Sequence, residues 1–101
     1  SLNNVNNNTI MSDRNDNIPI IDENVTIVKS PLVGTYYSSS TPGGTPYVEV
    51  GTTVKKGDVL CIIEAMKIMN EIIAEVDGKI IEVLREDEDI VEFGMELFKI
   101  V

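Results

Sequence analysis

One lysine could do chemistry, because apolar residues surround it where the chain is expected to turn. It is Lys67, in the run Glu64-Ala65-Met66-Lys67-Ile68-Met69-Asn70. A neutral lysine amine can attack an activated acyl donor, whereas an arginine in its place stays protonated. Tight turns normally use Asn, Gly or Asp, yet positions 65 to 69 hold none of them. The ordinary alternative is a solvated surface charge, and the apolar neighbours favour an exposed nucleophile instead.

The other residue types exclude the common catalytic sites. The chain has no histidine and one cysteine, Cys61. Zinc sites of Cys and His, a Ser-His-Asp triad and a Cys-His dyad are therefore excluded. A lone cysteine forms no intrachain disulfide, which is typical of the reducing cytosol. The acidic run 86–89 indicates a solvated turn, because a calcium loop needs a glycine bend that this run lacks, and we expect no metal site.

Charge and length describe a small acidic protein. The chain has 101 residues, with 17 Asp and Glu against 8 Lys and Arg, for a formal charge of −9. Such a surface repels phosphates, which argues against nucleic-acid and anionic-membrane partners. No apolar run approaches the roughly 18 residues that cross a bilayer, and we expect no signal peptide. These features predict a small cytoplasmic domain with little catalytic apparatus of its own.

Lys67 lies where the second half of the chain begins to repeat the first. Four residues of the first half recur with identical type 37 positions later, namely Val54, Gly57, Leu60 and Ile63 as Val91, Gly94, Leu97 and Ile100. A lysine at the junction of two equivalent β-halves belongs at the tip of a hairpin, near a pseudo-twofold axis. That position suits a residue that other proteins must reach.

Short apolar runs cut by turn residues predict an all-β fold from Val25 onward. Seven or eight short strands with internal twofold repetition should form two four-stranded antiparallel sheets packed face to face, or a flattened barrel. The predicted strands are Val25–Lys29, Gly34–Tyr37, Val48–Val50, Val59–Glu64, Asn70–Ala74, Gly78–Val83 and Leu97–Val101.

The repeat also predicts which side chains face inward. Cys61 and Ile63 correspond to Phe98 and Ile100, whereas Ile62 corresponds to Lys99. Because side chains alternate between the two faces of a strand, the first four should share the core. Cys61 is then a small buried apolar residue rather than a nucleophile.

One insertion distinguishes the two halves. Gly34 and Val54 lie 20 positions apart, whereas their counterparts Gly78 and Val91 lie 13 apart. The extra residues fall in a small, polar stretch rich in Pro and Gly, which should protrude as a loop. Loops of this composition are usually spacers. The stretch comprises Ser38, Ser39, Ser40, Thr41, Pro42, Gly43, Gly44, Thr45 and Pro46.

The first 24 residues have a different character. They are rich in asparagine, and their apolar residues follow no period. Such a stretch cannot bury enough apolar surface to offset its chain entropy, so we expect a disordered tail over 1–24 and a folded domain over 25–101. The tail could be a flexible tether or simply a frayed terminus.

The run from Glu64 to Asn70 closely resembles the acceptor site of biotinyl carrier domains, in particular those of bacterial acetyl-CoA carboxylase. The resemblance covers roughly Val25 to Val101, and its most specific part is the Ala-Met-Lys-Ile-Met core. It extends through three further segments of the chain, namely Ser30–Tyr37, Val48–Gly51 and Lys56–Cys61.

This resemblance implies roles for individual residues. Lys67 would carry biotin as an amide, formed by a biotin protein ligase. The protruding thumb of these domains corresponds to the 38–46 loop, which favours a functional loop over a spacer. Soft methionine side chains could serve ligase recognition, although they could also be simple turn packing. The implied recognition motif consists of Glu64, Ala65, Met66, Ile68 and Met69.

The resemblance also implies a carrier function in fatty acid synthesis. The domain itself would be non-catalytic, and biotin on Lys67 would act as a swinging arm. The arm would receive a carboxyl group at a biotin carboxylase subunit and deliver it at carboxyltransferase subunits, where acetyl-CoA becomes malonyl-CoA. Tethering raises the local concentration of the biotin at both sites.

Two alternatives stay open. A lipoyl carrier has the same kind of twofold β-fold, but it typically has Asp before the lysine, where this chain has Met66, and it lacks the 38–46 insertion. A β-module used only for protein contacts would not need Lys67 or its methionines. A biotinyl, lipoyl or absent adduct on the intact protein separates the three.

Overall fold

The computed structural model describes residues 24–101, which form eight strands in two four-stranded sheets. The strands, all paired antiparallel, are β1 (Thr26–Lys29), β2 (Gly34–Tyr37), β3 (Thr53–Val54), β4 (Val59–Ala65), β5 (Ile68–Ile73), β6 (Gly78–Val83), β7 (Ile90–Val91) and β8 (Glu96–Ile100). One sheet has the order β1-β8-β6-β3 and the other β5-β4-β2-β7. The predicted all-β sandwich is confirmed. Most of the predicted 1–24 tail lies outside the described residues.

One predicted strand is wrong and two short strands were missed. Val48–Val50 alternates apolar and charged residues, but it forms no strand. Its backbone turns instead, and the Glu49 N–H donates to the Thr52 hydroxyl at 2.9 Å. Val48 still packs into the core from this loop. The missed strands β3 and β7 have two residues each, too few to show an alternating pattern.

The two sheets are related by the predicted pseudo-twofold repeat. The repeat matches β1, β8, β6 and β3 of one sheet with β5, β4, β2 and β7 of the other. The matched strands occur in the same order in the two sheets. Hydrogen bonds repeat as well: Ser30 N–H donates to the Met95 carbonyl, and Ala74 N–H donates to the Asp58 carbonyl, both at 2.8 Å. Positions before the insertion thus correspond to positions 44 later, and positions after it to positions 37 later.

Two glycines show how closely the repeat is kept. A Cβ on Gly34 would collide with the Glu64 carbonyl oxygen and lie 2.7 Å from Ile63. A Cβ on Gly78 would collide with the Val101 carbonyl oxygen and lie 2.6 Å from Ile100. Both positions therefore require glycine, because the backbone of a neighbouring segment occupies the space that a Cβ atom would need.

The core lies between the sheets and contains the four residues that the repeat predicted. Cys61, Ile63, Phe98 and Ile100 are all buried, and Tyr36 packs against Phe98 with ring centroids 6.3 Å apart. Burial raises the pKa of the Cys61 thiol to about 12. The cysteine is therefore protonated and inaccessible, in agreement with its predicted structural role.

The sandwich has two distinct ends. The β4–β5 turn, Met66-Lys67, marks the lysine end, where Gly34 contacts Glu64 and pairs with Val91. After β7 the chain makes a turn at this same end, and β8 then runs toward the opposite end. At the far end Ile100 pairs with Thr26, the first residue of β1.

Candidate lysine acceptor site

Lys67 is one of two central residues in the tight turn between β4 and β5. Ala65 pairs with Ile68 across the turn, and both Met66 and Lys67 have positive φ, 53° and 66°. This is the backbone of the primed turns that match the twist of a two-stranded hairpin. The sequence predicted the hairpin, but not that two residues with large side chains would adopt this conformation.

The turn holds Lys67 in solvent. Its side chain is exposed, and within residues 24–101 no hydrogen bond or ion pair holds the amine. The apolar neighbours are exposed too: 94% of Met66, 62% of Ile68 and 51% of Met69 is accessible. A fold gains nothing from such residues on a turn, so this hairpin presents apolar surface around a free amine.

Asn70 stabilises the hairpin, although the sequence predicted no role for it. Its side-chain amide donates to the Ile63 carbonyl and to the Ile68 carbonyl, both at 3.2 Å. These bonds join the two strands just behind the turn. The signal available in the sequence was a lone polar amide inside an apolar strand.

Glu64 lies on the outward face beside the turn. It pairs with Met69 on one side and with Thr35 on the other. Burial raises the pKa of the adjoining Tyr37 hydroxyl, and the charges of Glu64 and Glu88 raise it further. The tyrosine therefore stays neutral, and Glu64 lies three positions before Lys67 in the chain.

The 38–46 loop folds back on itself at the base of the site. Tyr47 N–H donates to the Ser38 carbonyl at 2.9 Å and closes the loop, and Gly44 N–H donates to the Thr41 carbonyl at the same distance. The Ser38 N–H also donates to a carboxylate oxygen of Asp87 at 2.7 Å, which anchors the loop to the connection between β6 and β7. The insertion is therefore an ordered loop of defined shape.

This loop covers the outward face of the sheet beside the hairpin. A cavity of about 160 Å³ lies between loop residues and the strand residues Glu64 and Met69. Ile62 is 3% exposed although it lies outside the core cluster, and it lines a neighbouring cavity with Ser40 and Tyr47. Ile62 faces away from the core as predicted, and loop residues share the cavity that it lines.

The acidic run 86–89 has a local structural role. The Glu86 N–H donates to the Asp89 carboxylate at 2.8 Å, which makes the predicted solvated run a capped turn. Among residues 24–101 no group of three or more His, Cys, Asp or Glu is arranged to hold a metal ion. Across the same residues we find no helix with the length and apolar character that a bilayer crossing requires.

The residues of the site fit an acyl group attached to Lys67. An exposed primary amine can form an amide without disturbing the core, and the two cavities beside the hairpin are lined by hydroxyl, thioether, amide and carboxylate groups together with apolar side chains. A bicyclic ligand with apolar and hydrogen-bonding parts suits such a lining.

Comparisons with known proteins agree with this geometry. Residues 26–100 match the profile of the biotin-requiring enzyme family, Biotin_lipoyl. The biotin carboxyl carrier protein of acetyl-CoA carboxylase from Pseudomonas aeruginosa is 54% identical over 78 residues, covering 77% of this chain and 50% of that protein. The protein of the same name from Chlamydia trachomatis is 39% identical, covering 91% and 63%. This chain spans about half the length of the first relatives that it matches.

Solved structures show the same fold inside much larger proteins. The Kluyveromyces lactis urea carboxylase superposes with a TM-score of 0.69 at 26% identity, covering 91% of this chain and 8% of that one. A single-chain, multi-domain long-chain acyl-CoA carboxylase gives a TM-score of 0.65 at 20% identity, covering 81% and 8%. The profile match and these relatives imply covalently attached biotin as the cofactor. The chain belongs to the family of biotin-requiring enzymes, as a carrier domain.

Proposed function

We propose that the chain is the biotin carboxyl carrier of an acetyl-CoA carboxylase, with biotin attached to Lys67. The observation that carries the proposal is the exposed amine at a strained two-residue turn, within a run that is shared with biotinyl carrier domains. The high identity to carrier proteins of acetyl-CoA carboxylase supports the assignment.

Lys67 is the nucleophile of the attachment reaction. Its neutral amine attacks the carboxyl carbon of biotin activated as the adenylate by a biotin protein ligase. An amide bond forms, the bond to AMP breaks, and the amine loses a proton. The reaction removes one positive charge and takes the formal net charge from −9 to about −10. Bound biotin supplies a ureido nitrogen that carries a carboxyl group.

The chain supplies position for this cofactor. The turn keeps the amide on a projecting tip, and the ordered loop stands beside it, so we assign the loop of residues 38–46 as a thumb that covers part of the biotin. The proposed partners are a biotin carboxylase subunit, which loads the carboxyl group, and carboxyltransferase subunits, which deliver it to acetyl-CoA. The product, malonyl-CoA, would enter fatty acid synthesis in the cytoplasm.

Intact-mass measurement after incubation with a biotin protein ligase, biotin and ATP tests the proposal. We expect one biotinyl adduct on the parent chain and none on Lys67→Arg, because arginine keeps its proton and does not attack. Lys56→Arg is the matched control, since it is an exposed lysine in the turn at the far end, and it should be modified like the parent.

Two outcomes would contradict the assignment. A lipoyl adduct formed with a lipoyl-attaching enzyme, in place of a biotinyl one, would support a lipoyl carrier. No adduct on a folded chain would support a module used only for protein contacts.

A further inference from the structure

The lysine end exposes three large apolar residues besides those of the hairpin. Val33, Ile90 and Phe93 are 61%, 70% and 76% exposed, and we call them the end patch. Val33 directly precedes β2, Ile90 is in β7, and Phe93 lies in the turn that follows β7. None of the three contributes to the core, so the fold does not explain their type.

The strand register connects the end patch to the acceptor hairpin. Thr35 pairs with Ile90 on one side and with Glu64 on the other, and Glu64 pairs with Met69. These four residues form one row across the sheet on the face opposite the buried Tyr36. Val33 and Phe93 lie beyond this row in the direction of the Met66-Lys67 turn, so the patch and the hairpin form one surface.

The pseudo-twofold repeat provides an internal reference for this surface. The residue that corresponds to Val33 is Asp77, 44 positions later, and Ile90 and Phe93 correspond to Thr53 and Lys56, 37 positions earlier. The same backbone therefore exposes polar and charged residues at the far end. The apolar residues at the lysine end are not required by the architecture, because its twin does without them.

The apolar residues at the lysine end replace side chains that accept hydrogen bonds at the far end. At the far end the Lys56 N–H donates to the Asp77 carboxylate at 2.8 Å, and the Lys55 N–H donates to the Asp58 carboxylate at 2.9 Å. The counterparts of the two carboxylates at the lysine end are Val33 and Met95, which have no oxygen to accept such bonds. Apolar surface is thus present where capping carboxylates would suit the turn better.

The enzyme that acylates Lys67 is the partner that must contact this surface. The amine stands only four methylene groups from the backbone, and reacting atoms must come within about 3.5 Å of each other. That enzyme therefore has to lie against the hairpin and its surroundings. Enzymes that act on the far end of an attached biotin work at the greater distance of the extended arm.

The charges around the end patch define the partner further. Glu64 lies in the row described above, and the exposed Glu92 stands between Ile90 and Phe93 in the chain. A partner surface that fits has an apolar centre with basic side chains at its rim. An apolar centre within a polar rim is the usual composition of an interface, and basic side chains would complement the two glutamates.

We propose that Val33, Ile90 and Phe93 form a docking surface for the enzyme that attaches biotin to Lys67, recognised together with the hairpin methionines. The inference rests on the proposed function and adds a recognition surface outside the acceptor run. A few residues carry most of the energy of an interface, and aromatic residues such as Phe93 are enriched at interface centres.

The repeat itself supplies the test variant. Val33→Asp, Ile90→Thr and Phe93→Lys together replace each residue by its counterpart from the far end, and the net charge does not change. We measure initial rates of biotin incorporation with a purified biotin protein ligase over a range of carrier concentrations. The expected result is a rise in KM of about tenfold or more, with kcat little changed and with the thermal midpoint equal to or above that of the parent.

Val50→Thr is the matched control, because Val50 is an apolar residue of similar exposure, 65%, outside the lysine end. It should leave KM unchanged. If the triple variant loses its β-sheet circular dichroism, the single variant Val33→Asp decides, since it introduces a capping group that the twin turn tolerates.

The outcomes separate the two proposals. A parent chain that receives no biotin on Lys67 overturns the proposed function. A parent that is biotinylated, together with a folded variant of unchanged KM, overturns the docking surface alone. Unchanged ligase kinetics with slower carboxylation of the biotinylated variant would likewise overturn it, because the patch would then serve a carboxylase.

Discussion

Met66 and Lys67 combine a backbone conformation that suits glycine with side chains that do not. A left-handed conformation costs an L-residue with a Cβ atom roughly 1–2 kcal/mol, and both residues adopt it. The sequence predicted the exposed lysine from its position in the repeat. It could not predict the turn type, because the residues that normally signal that turn are absent. Backbone strain of this kind concentrates at functional sites.

Met66→Asn should therefore stabilise the domain and impair its modification. Asparagine tolerates the left-handed conformation, so we expect the free energy of unfolding to rise by about 1 kcal/mol. The rate of biotin incorporation should fall, because Met66 is proposed as an apolar contact for the ligase. Urea unfolding and ligase kinetics measure the two effects.

Glu88→Asn is the control for that variant. Glu88 has φ of 74° in the connection between β6 and β7, outside the acceptor run, so Glu88→Asn should raise the free energy of unfolding without changing the rate of biotinylation. An unchanged rate for Met66→Asn would assign Met66 to turn packing alone.

The strands differ in how much of them could be predicted. β2 and β6 have the predicted bounds, because a glycine starts each one. β3 and β7 are held by neighbouring strands rather than by their own pattern. They are a symmetric pair, and the repeat had already matched Val54 with Val91, so that match was the available signal. Val48–Val50 was predicted wrongly because alternation alone does not distinguish a strand from a loop whose first residue is buried.

The close passage of β2 along β4 leads to a prediction. Gly34→Ala places a methyl group against the Glu64 carbonyl oxygen, and we expect a loss of roughly 1–3 kcal/mol in the free energy of unfolding. Gly78→Ala should cost a similar amount, since its surroundings are the symmetric equivalent. Thr53→Ala, at an exposed position of β3, is the control and should cost little. Chemical denaturation of the three variants would refute the packing argument if Gly34→Ala were as stable as the parent.

Two ionisable residues in a single core make the stability of the whole domain sensitive to alkali. Burial is the main cause that raises the pKa of Cys61 from 9.0 to about 12. It also strongly raises the pKa of the Tyr36 hydroxyl, with further contributions from Cys61, Asp87 and Asp89. Both groups are protonated in the folded state over a range in which the unfolded chain loses those protons. Since the unfolded state then binds fewer protons, stability falls as pH rises.

Stability should be independent of Cys61 ionisation below pH 9.0 and should decline between that value and about 12. The decline from this one group is up to about 1.4 kcal/mol per pH unit. Urea unfolding at about pH 8 and about pH 10.5 measures it, with Cys61→Ala for comparison. The alanine variant should be less stable at the lower pH because of its cavity, yet it should lose less on going to the higher pH. An equal loss in both proteins would show that the thiol is not involved.

The chain enters the sandwich at Thr26, next to Ile100, at the end remote from Lys67. In the proposed function, the start of β1 therefore lies behind the domain when Lys67 enters an active site. The full length of the sandwich separates that point from the reacting group, and it adds to the radius that the cofactor can sweep. The body of the carrier is in this sense a rigid spacer in series with the proposed biotin arm.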